Sequence, residues 1–241
     1  MSSNEISVCV LVNDNPFETN FCLQNLIEKT NVPFSLHIYY FQNFLEINNE
    51  IESGLHKYDN FKNYVSVNGI KSLSYAYNDF LNNCKTEYAV IVPSNVIVNN
   101  NWLQELKYSY INFENSGCIS IKENSENLKL SSKLFVNTQL KEDQMKTVYV
   151  DDKNFFKDLI FFNTQKAKEM GNFIEDPILN GLQMSEWTFR FFAKGYSNFY
   201  LTYNNVVRLK TTDNILNPEI SNKAKKLFRT IANSSLTIKK H

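Results

Sequence analysis

The stretch with the strongest claim to chemistry is a break, Pro93-Ser94-Asn95, inside the apolar run from Tyr88 to Val98. In an α/β sheet, ligands bind beyond the carboxyl end of a central strand, so a polar break there is where a ligand would meet the backbone. Its residues are neutral: Asn95 can lend one carbonyl oxygen, and no acid is present to hold a hard cation. The plain alternative is a turn that caps the next element. Glu186 and Arg190 stand four apart on a helical stretch, a spacing that suits an ordinary ion pair as well as a working carboxylate. Cys9, Cys22, Cys84 and Cys118 are scattered without a Cys-x-x-Cys and read as reduced structural thiols. His37 lies in a strand and His56 in a polar loop, both far from any acidic cluster, so neither reads as a metal ligand.

These residues need elements to position them, and the first half supplies a regular alternation. Ile6 to Val12 reads as a buried strand, followed by the turn cluster Asn13-Asp14-Asn15-Pro16, with Asn15 or Asp14 as a cap, and by a helix from Phe17 to Lys29. Phe34 to Phe41 is a second strand, Phe44 to Glu52 a short helix, and Tyr64 to Val67 a third strand. Ser72 to Cys84 is a clear helix, with Leu73, Ala76, Tyr77, Phe80 and Leu81 on one stripe. The Tyr88–Val98 run is too short for a core helix and rich in Val and Ile, so it reads as a strand buried on both faces; a helix starts at Trp102. Short links between repeated strand–helix units predict an α/β fold with a mainly parallel central sheet flanked by helices.

The second half is organised differently. Gly117 to Ile121 is a strand, Lys122 to Lys146 a long polar excursion with one strand near Leu134-Phe135-Val136, and Leu159 to Phe162 a strand again. Thr164 is the expected cap of a helix that runs to Met170 and ends at Gly171. A further helix spans about 181–193 with Gly195 as its stop, Tyr196 to Val207 is strand-like, and Pro218 to Ala232 is an amphipathic helix. The expected organisation is one domain over 1–241: a first half at 1–110, a second half at 111–215, and a terminal helix and tail from 216.

Bulk properties narrow the class. Lys plus Arg and Asp plus Glu are each 25, so the net charge is zero, which argues against nucleic acid as the main partner. At 43% hydrophobic residues the chain can bury a full core, and no apolar stretch reaches the roughly 18 residues a spanning helix needs. The start, Met1-Ser2-Ser3-Asn4-Glu5, lacks the pattern of a signal peptide, so the expected location is cytoplasmic.

In order and spacing the chain resembles the inverting nucleotide-sugar glycosyltransferases of the second family, with the A-type fold, which implies a nucleotide-binding half at 1–110 and an acceptor half at 111–215. Four stretches carry the resemblance. Ser7 to Thr30 is similar to the family's first strand, Asn-containing turn and first helix. Ser72-Leu73-Ser74-Tyr75-Ala76-Tyr77-Asn78 is similar to its Gly-x-x-x-Ala-x-Asn helix start. Val92 to Leu106 aligns without a gap on its strand, acidic metal motif, short loop and Trp-Leu-x-x-Leu helix. Gly171 to Glu175, then Glu186 to Arg190 and Gly195-Tyr196, is similar to its Gly-Phe-Asp-Glu stretch and later acid, Arg and Gly-Tyr.

The resemblance implies donor contacts from Asn13, Tyr40, Gln42, Ser72, Asn78, Ser94, Asn95 and Arg208, and acceptor contacts from Glu175, Trp187 and Arg190. Tyr40 or Phe41 could stack on a base, and Gln42 or Asn43 hydrogen-bond it, in place of the family's Asp. Ser72 stands where the family has Gly. A general base is required to take the acceptor's proton. Anchoring the alignment on Arg190 puts Gln183-Met184 where the family has its acidic pair; anchoring on the acid before Trp187 makes Glu186 the base, with Asp176 as the second candidate. The family's metal-binding Asp and later His are both missing, so the expectation is no divalent metal and a diphosphate neutralised by Arg208 or Lys210.

Two functions stay open on these residues. One is a transferase moving a sugar from a nucleoside diphosphate donor to a glycan, lipid-linked or protein acceptor, as in polysaccharide biosynthesis. The other is a non-catalytic protein of the same fold that binds a sugar or a partner. A homodimer through the apolar stripe of the terminal helix is a further expectation.

Overall fold

The computed structural model describes residues 5–12, 16–40, 57–123, 147–149, 159–176, 179 and 182–208. The short helix expected at 44–52, the strand near 134–136 and the terminal helix fall outside the described residues, and so does the dimer built on that helix.

The first strands are β1 (Ile6–Val12), β2 (Phe34–Tyr40), β3 (Phe61–Asn68) and β4 (Tyr88–Pro93). They pair in parallel in the order β3-β2-β1-β4. Every residue of β1 and β2 is buried, as expected for strands covered on both faces. Their period of two splits the core in two. Ile6, Val8, Val10 and Val12 join one cluster with Leu23, Leu26 and Ile27 of α1 (Pro16–Lys29). Cys9 and Leu11 face the opposite way, towards Ala76, Tyr77 and Phe80 of α2 (Leu73–Asn83). The sheet is therefore the middle of three layers. On the first face α3 (Trp102–Asn112) adds Trp102, Leu103 and Leu106; on the second, α4 (Thr164–Met170) and α5 (Gln183–Ala193) add Ala167, Met170, Trp187 and Phe191.

The apolar run from Tyr88 to Val98 is not one strand. β4 ends at Pro93, Ser94-Asn95 form a turn, and β5 (Val96–Ile97) pairs elsewhere, antiparallel to β9 (Ser197–Arg208). Proline supplies no backbone N–H, so the ladder stops there. β6 (Ser116–Glu123) extends the predicted strand, β7 (Thr147–Tyr149) has no counterpart among the predicted strands, and β8 (Ile160–Asn163) runs between β4 and β6 with opposite polarity to both. Along the path β3-β2-β1-β4-β8-β6-β9, β8 alone is reversed, and the short β5 and β7 add antiparallel pairings to β9.

Helix ends follow local chemistry. Ser72 caps α2, its Oγ accepting from the Tyr75 N–H at 3.0 Å. α4 is capped by Asn163 rather than Thr164: the Asn163 side chain accepts from the N–H groups of Gln165 and Lys166. The Thr164 hydroxyl instead donates to the Thr86 carbonyl at 2.7 Å, tying the helix to the loop before β4. Gly171 and Gly195 close α4 and α5 at φ of 77° and 90°, a region that L side chains avoid.

All four cysteines are buried, and none forms a disulfide. Burial pushes the thiols of Cys9 and Cys118 well above their ordinary pKa, which leaves them unreactive packing groups. Among the described residues no helix is long and apolar enough to cross a membrane.

Candidate functional site

The parallel strands bring their carboxyl ends into one row. Register pairs Val12 with Tyr40, Tyr40 with Asn68, and Leu11 with Pro93. The chain leaves this row at Ser94-Asn95, the predicted break. Val98 just beyond it is tied to α1, its N–H donating to Asn25 Oδ1 at 2.8 Å. The pairing of β5 with β9 puts Val96 opposite Arg208, so the backbone of the predicted diphosphate-binding cation lies across from the residue that follows Asn95.

An acidic loop is held at the same end of the sheet. α2 begins shortly after Gly69, just past the carboxyl end of β3. Its first turns grip the segment before Asp176 by three backbone contacts. Asn78 Oδ1 accepts from the Phe173 N–H at 2.6 Å, Asn78 Nδ2 donates to the Phe173 carbonyl at 3.0 Å, and Ser74 Oγ donates to the Ile174 carbonyl at 2.8 Å. Asn78 Nδ2 also reaches Glu175 Oε1 at 2.9 Å. Glu175 is exposed and Asp176 half-buried. The Asp176 carbonyl accepts from the Leu179 N–H at 3.0 Å, turning the chain back after the acids.

Other predicted site residues have different occupations. Glu186 is 1% exposed, and both its oxygens are taken by Arg190, Nε to Oε1 at 2.8 Å and Nη2 to Oε2 at 2.6 Å. Arg190 Nη1 donates in turn to the carbonyls of Met170 and Asn172. This is the ion-pair alternative: the group fastens α5 to the end of α4, and a carboxylate so enclosed has no approach for an acceptor hydroxyl. Trp187 is core, stacked on Phe173 at 4.6 Å with its indole N–H on the Gly171 carbonyl, and presents no face to a ligand. Tyr40 is fully buried under α1, so its ring is not a stacking platform. Asn78 is a clamp on the acidic loop and Ser72 a helix cap. Gln183 and Met184 are both buried at the start of α5. Asn13, Gln42, Phe41 and Asn43, as well as Lys210, lie outside the described residues, as does the side chain of Arg208.

Sequence reasoning missed Ser74, whose signal was available: a hydroxyl one turn before Asn78 on the same helix face.

The break does not fit the divalent metal of the resembled family. Pro93, Ser94 and Asn95 bring no carboxylate, and Ser94 and Asn95 are both buried. Among the described residues no group of three or more His, Cys, Asp and Glu side chains is arranged to hold a metal ion. A neutral oxygen set without charge is a poor match for Mg²⁺ or Mn²⁺.

No protein-family model matches the sequence, and no curated protein matches it. Solved structures do. TarS of S. aureus superposes over 94% of this chain with a TM-score of 0.67 at 14% identity. The mannosyltransferase PcManGT of Pyrobaculum calidifontis, in complex with GDP-Man and Mn²⁺, covers 97% at a TM-score of 0.68 and 11% identity. GalNAc-T7 with UDP, GalNAc and Mn²⁺ covers 87% at a TM-score of 0.64 and 12% identity. The chain spans 39% of the TarS chain, 74% of PcManGT and 44% of GalNAc-T7. At such identities the likeness concerns architecture, and it is consistent across three proteins: the chain has the A-type glycosyltransferase fold.

Proposed function

We propose that this chain is a nucleotide-sugar glycosyltransferase in which cationic side chains, Arg208 first, take the place of a divalent metal, and Asp176 serves as general base. The observation that carries the reading is the β5–β9 register, which sets Arg208 opposite Val96 beside a break that has lost its acid. An Arg guanidinium can meet two phosphate oxygens at once and keeps its charge at any working pH. The acceptor oxygen bonds to the anomeric carbon while the bond from that carbon to the diphosphate oxygen breaks. The acceptor's proton passes to the Asp176 carboxylate, and the electron pair leaves with the diphosphate, where Arg208 offsets the growing charge. On this reading Glu175, which Asn78 fixes, is the acceptor-side partner of Asp176. TarS has been solved with UDP-GlcNAc and PcManGT with GDP-Man, which makes a uridine or guanosine diphosphate sugar the first donor to try.

A second reading is favoured by the enclosed Glu186 and by Gln183 and Met184, buried where the alignment anchored on Arg190 puts the acidic pair of the resembled family. On that reading the chain binds a sugar or a partner and does no transfer.

One experiment separates them: donor binding and hydrolysis across common nucleotide sugars, with Mn²⁺ and with chelator. The transferase reading expects turnover that chelator leaves intact, that Asp176→Asn abolishes, and a donor affinity that Arg208→Gln weakens at least tenfold, about 1.4 kcal/mol. Absence of both binding and thermal stabilisation by every donor would sink it and leave the non-catalytic reading.

A further inference from the structure

The sheet is open at β3. Among the described residues this strand pairs with β2 alone, so the other side of its backbone is a template for a further strand. The face it shares with α2 is also partly uncovered, because α2 joins β3 to β4 and does not return over the edge. Asn63, Val65 and Val67 line an open groove there; Asn63 is exposed and the two valines are half-buried. His37 Nδ1, buried against the Phe80 ring without a hydrogen-bond partner, is shut off from that groove.

Sheet edges are ordinarily blunted by charges, prolines or bulges within the strand. In β3 the one charge, Lys62, stands next to the first residue, and the register with β2 bulges at the same place. From Asn63 to Asn68 the strand pairs regularly with β2 and carries neither charge nor proline.

The charges flanking β3 indicate which strand fits. Asp59 precedes it and Lys71 follows it, both exposed. A second copy laid antiparallel about a two-fold axis at Val65 keeps every residue on its own face, with Asn63 opposite Val67 and Val65 opposite Val65 of the second copy. That register brings Asp59 of each copy beside Lys71 of the other, within one residue once the bulge is counted, and it sets the two Lys62 at opposite ends. A slide of two residues moves Lys57 towards Lys71 in one direction and parts Asp59 from Lys71 in the other. A parallel copy in register would oppose Lys62 to Lys62 and leave a new edge open.

We infer that β3 is a homodimer surface, on which two copies join edge to edge as antiparallel strands centred on Val65 and held in register by Asp59 and Lys71. Opposite charges across neighbouring strands favour one register over its neighbours, and the backbone ladder supplies the rest. The surface is not that of the terminal helix, and it does not depend on the function proposed at the strand carboxyl ends. Because the two β3 strands run in opposite directions, the candidate sites of the two copies lie at opposite ends of the joined sheet.

The test is sedimentation equilibrium of the full chain over a wide range of concentration at low ionic strength, with backbone hydrogen exchange followed by mass spectrometry. The expected result is a reversible dimer whose formation protects residues 61–69. Asp59→Lys and Lys71→Asp should each weaken it roughly tenfold by setting like charges together, and the double variant should restore it. Both residues are exposed, so neither substitution threatens folding. A monomeric mass at every concentration, a dimer indifferent to both single variants, or protection that leaves 61–69 unchanged would overturn the assignment.

Discussion

At the scale of single residues, the ion pair between Glu186 and Arg190 is the most consequential reassignment. Removing the cation strands a carboxylate that is 1% exposed, whereas removing both partners lets the space repack. Arg190→Ala is therefore expected to lose about 3–5 kcal/mol of unfolding free energy, and the double variant Arg190→Met with Glu186→Leu much less. Chemical denaturation of the two variants checks the order, and equal losses would contradict it. The i, i+4 spacing was legible in the sequence, and so was the choice between ion pair and working acid. What decided between them was burial, which depends on α4 and the 170–172 carbonyls arriving from elsewhere in the chain.

His37 supplies a pH-dependent contribution whose sign is set by its environment. Its folded pKa of about 4 lies below the ordinary 6.5, so between those values the unfolded chain binds a proton that the folded chain refuses. The contribution is fully present above about 6.5 and is lost as pH falls towards 4, roughly 3 kcal/mol across the window. His37→Gln should flatten that segment of the stability–pH curve; a curve parallel to that of the unaltered chain would contradict the assignment. A histidine in an apolar strand was visible from the sequence, but its orphaned nitrogen was not.

At the scale of elements, α2 does two jobs that the sequence showed only as one. Its apolar stripe, read correctly, packs on the sheet, while Ser74 and Asn78 on an adjoining face hold the loop that carries Glu175 and Asp176. Asn78→Ala removes both backbone contacts at Phe173 and leaves a buried N–H and carbonyl unpaired, an expected cost of about 2–4 kcal/mol. It should also free the loop: limited proteolysis is expected to cut near residues 172–176 in the variant under conditions that leave the original chain whole. The parallel first half was legible because alternating buried strands and amphipathic helices impose it. The reversal of β8 was not, since a four-residue apolar strand carries no mark of its direction, and neither did the 88–98 run announce that its two ends pair with different strands.

At the scale of the whole molecule, the question is whether the two halves fold as one unit. The sheet passes from one to the other without a gap, β4 to β8 to β6, and both core clusters mix residues of the two: Ile6 and Val90 with Ile119 and Phe199, Cys9 and Phe80 with Phe162 and Trp187. Neither half can bury its own face of β4 or β8 alone, so a stable half-folded state would expose a long apolar strand edge. The two tryptophans report on the halves separately, because Trp102 is buried in α3 with its indole N–H on Thr30 and Trp187 is buried in α5. In Trp187→Phe the fluorescence follows the first half, and in Trp102→Phe the second. Within each variant, the fluorescence midpoint in urea should coincide with that of far-ultraviolet circular dichroism, whatever stability the substitution itself removes. Separated midpoints in either variant would show that the halves unfold independently, and the strand-end site that both of them build would then be assembled by docking rather than by folding.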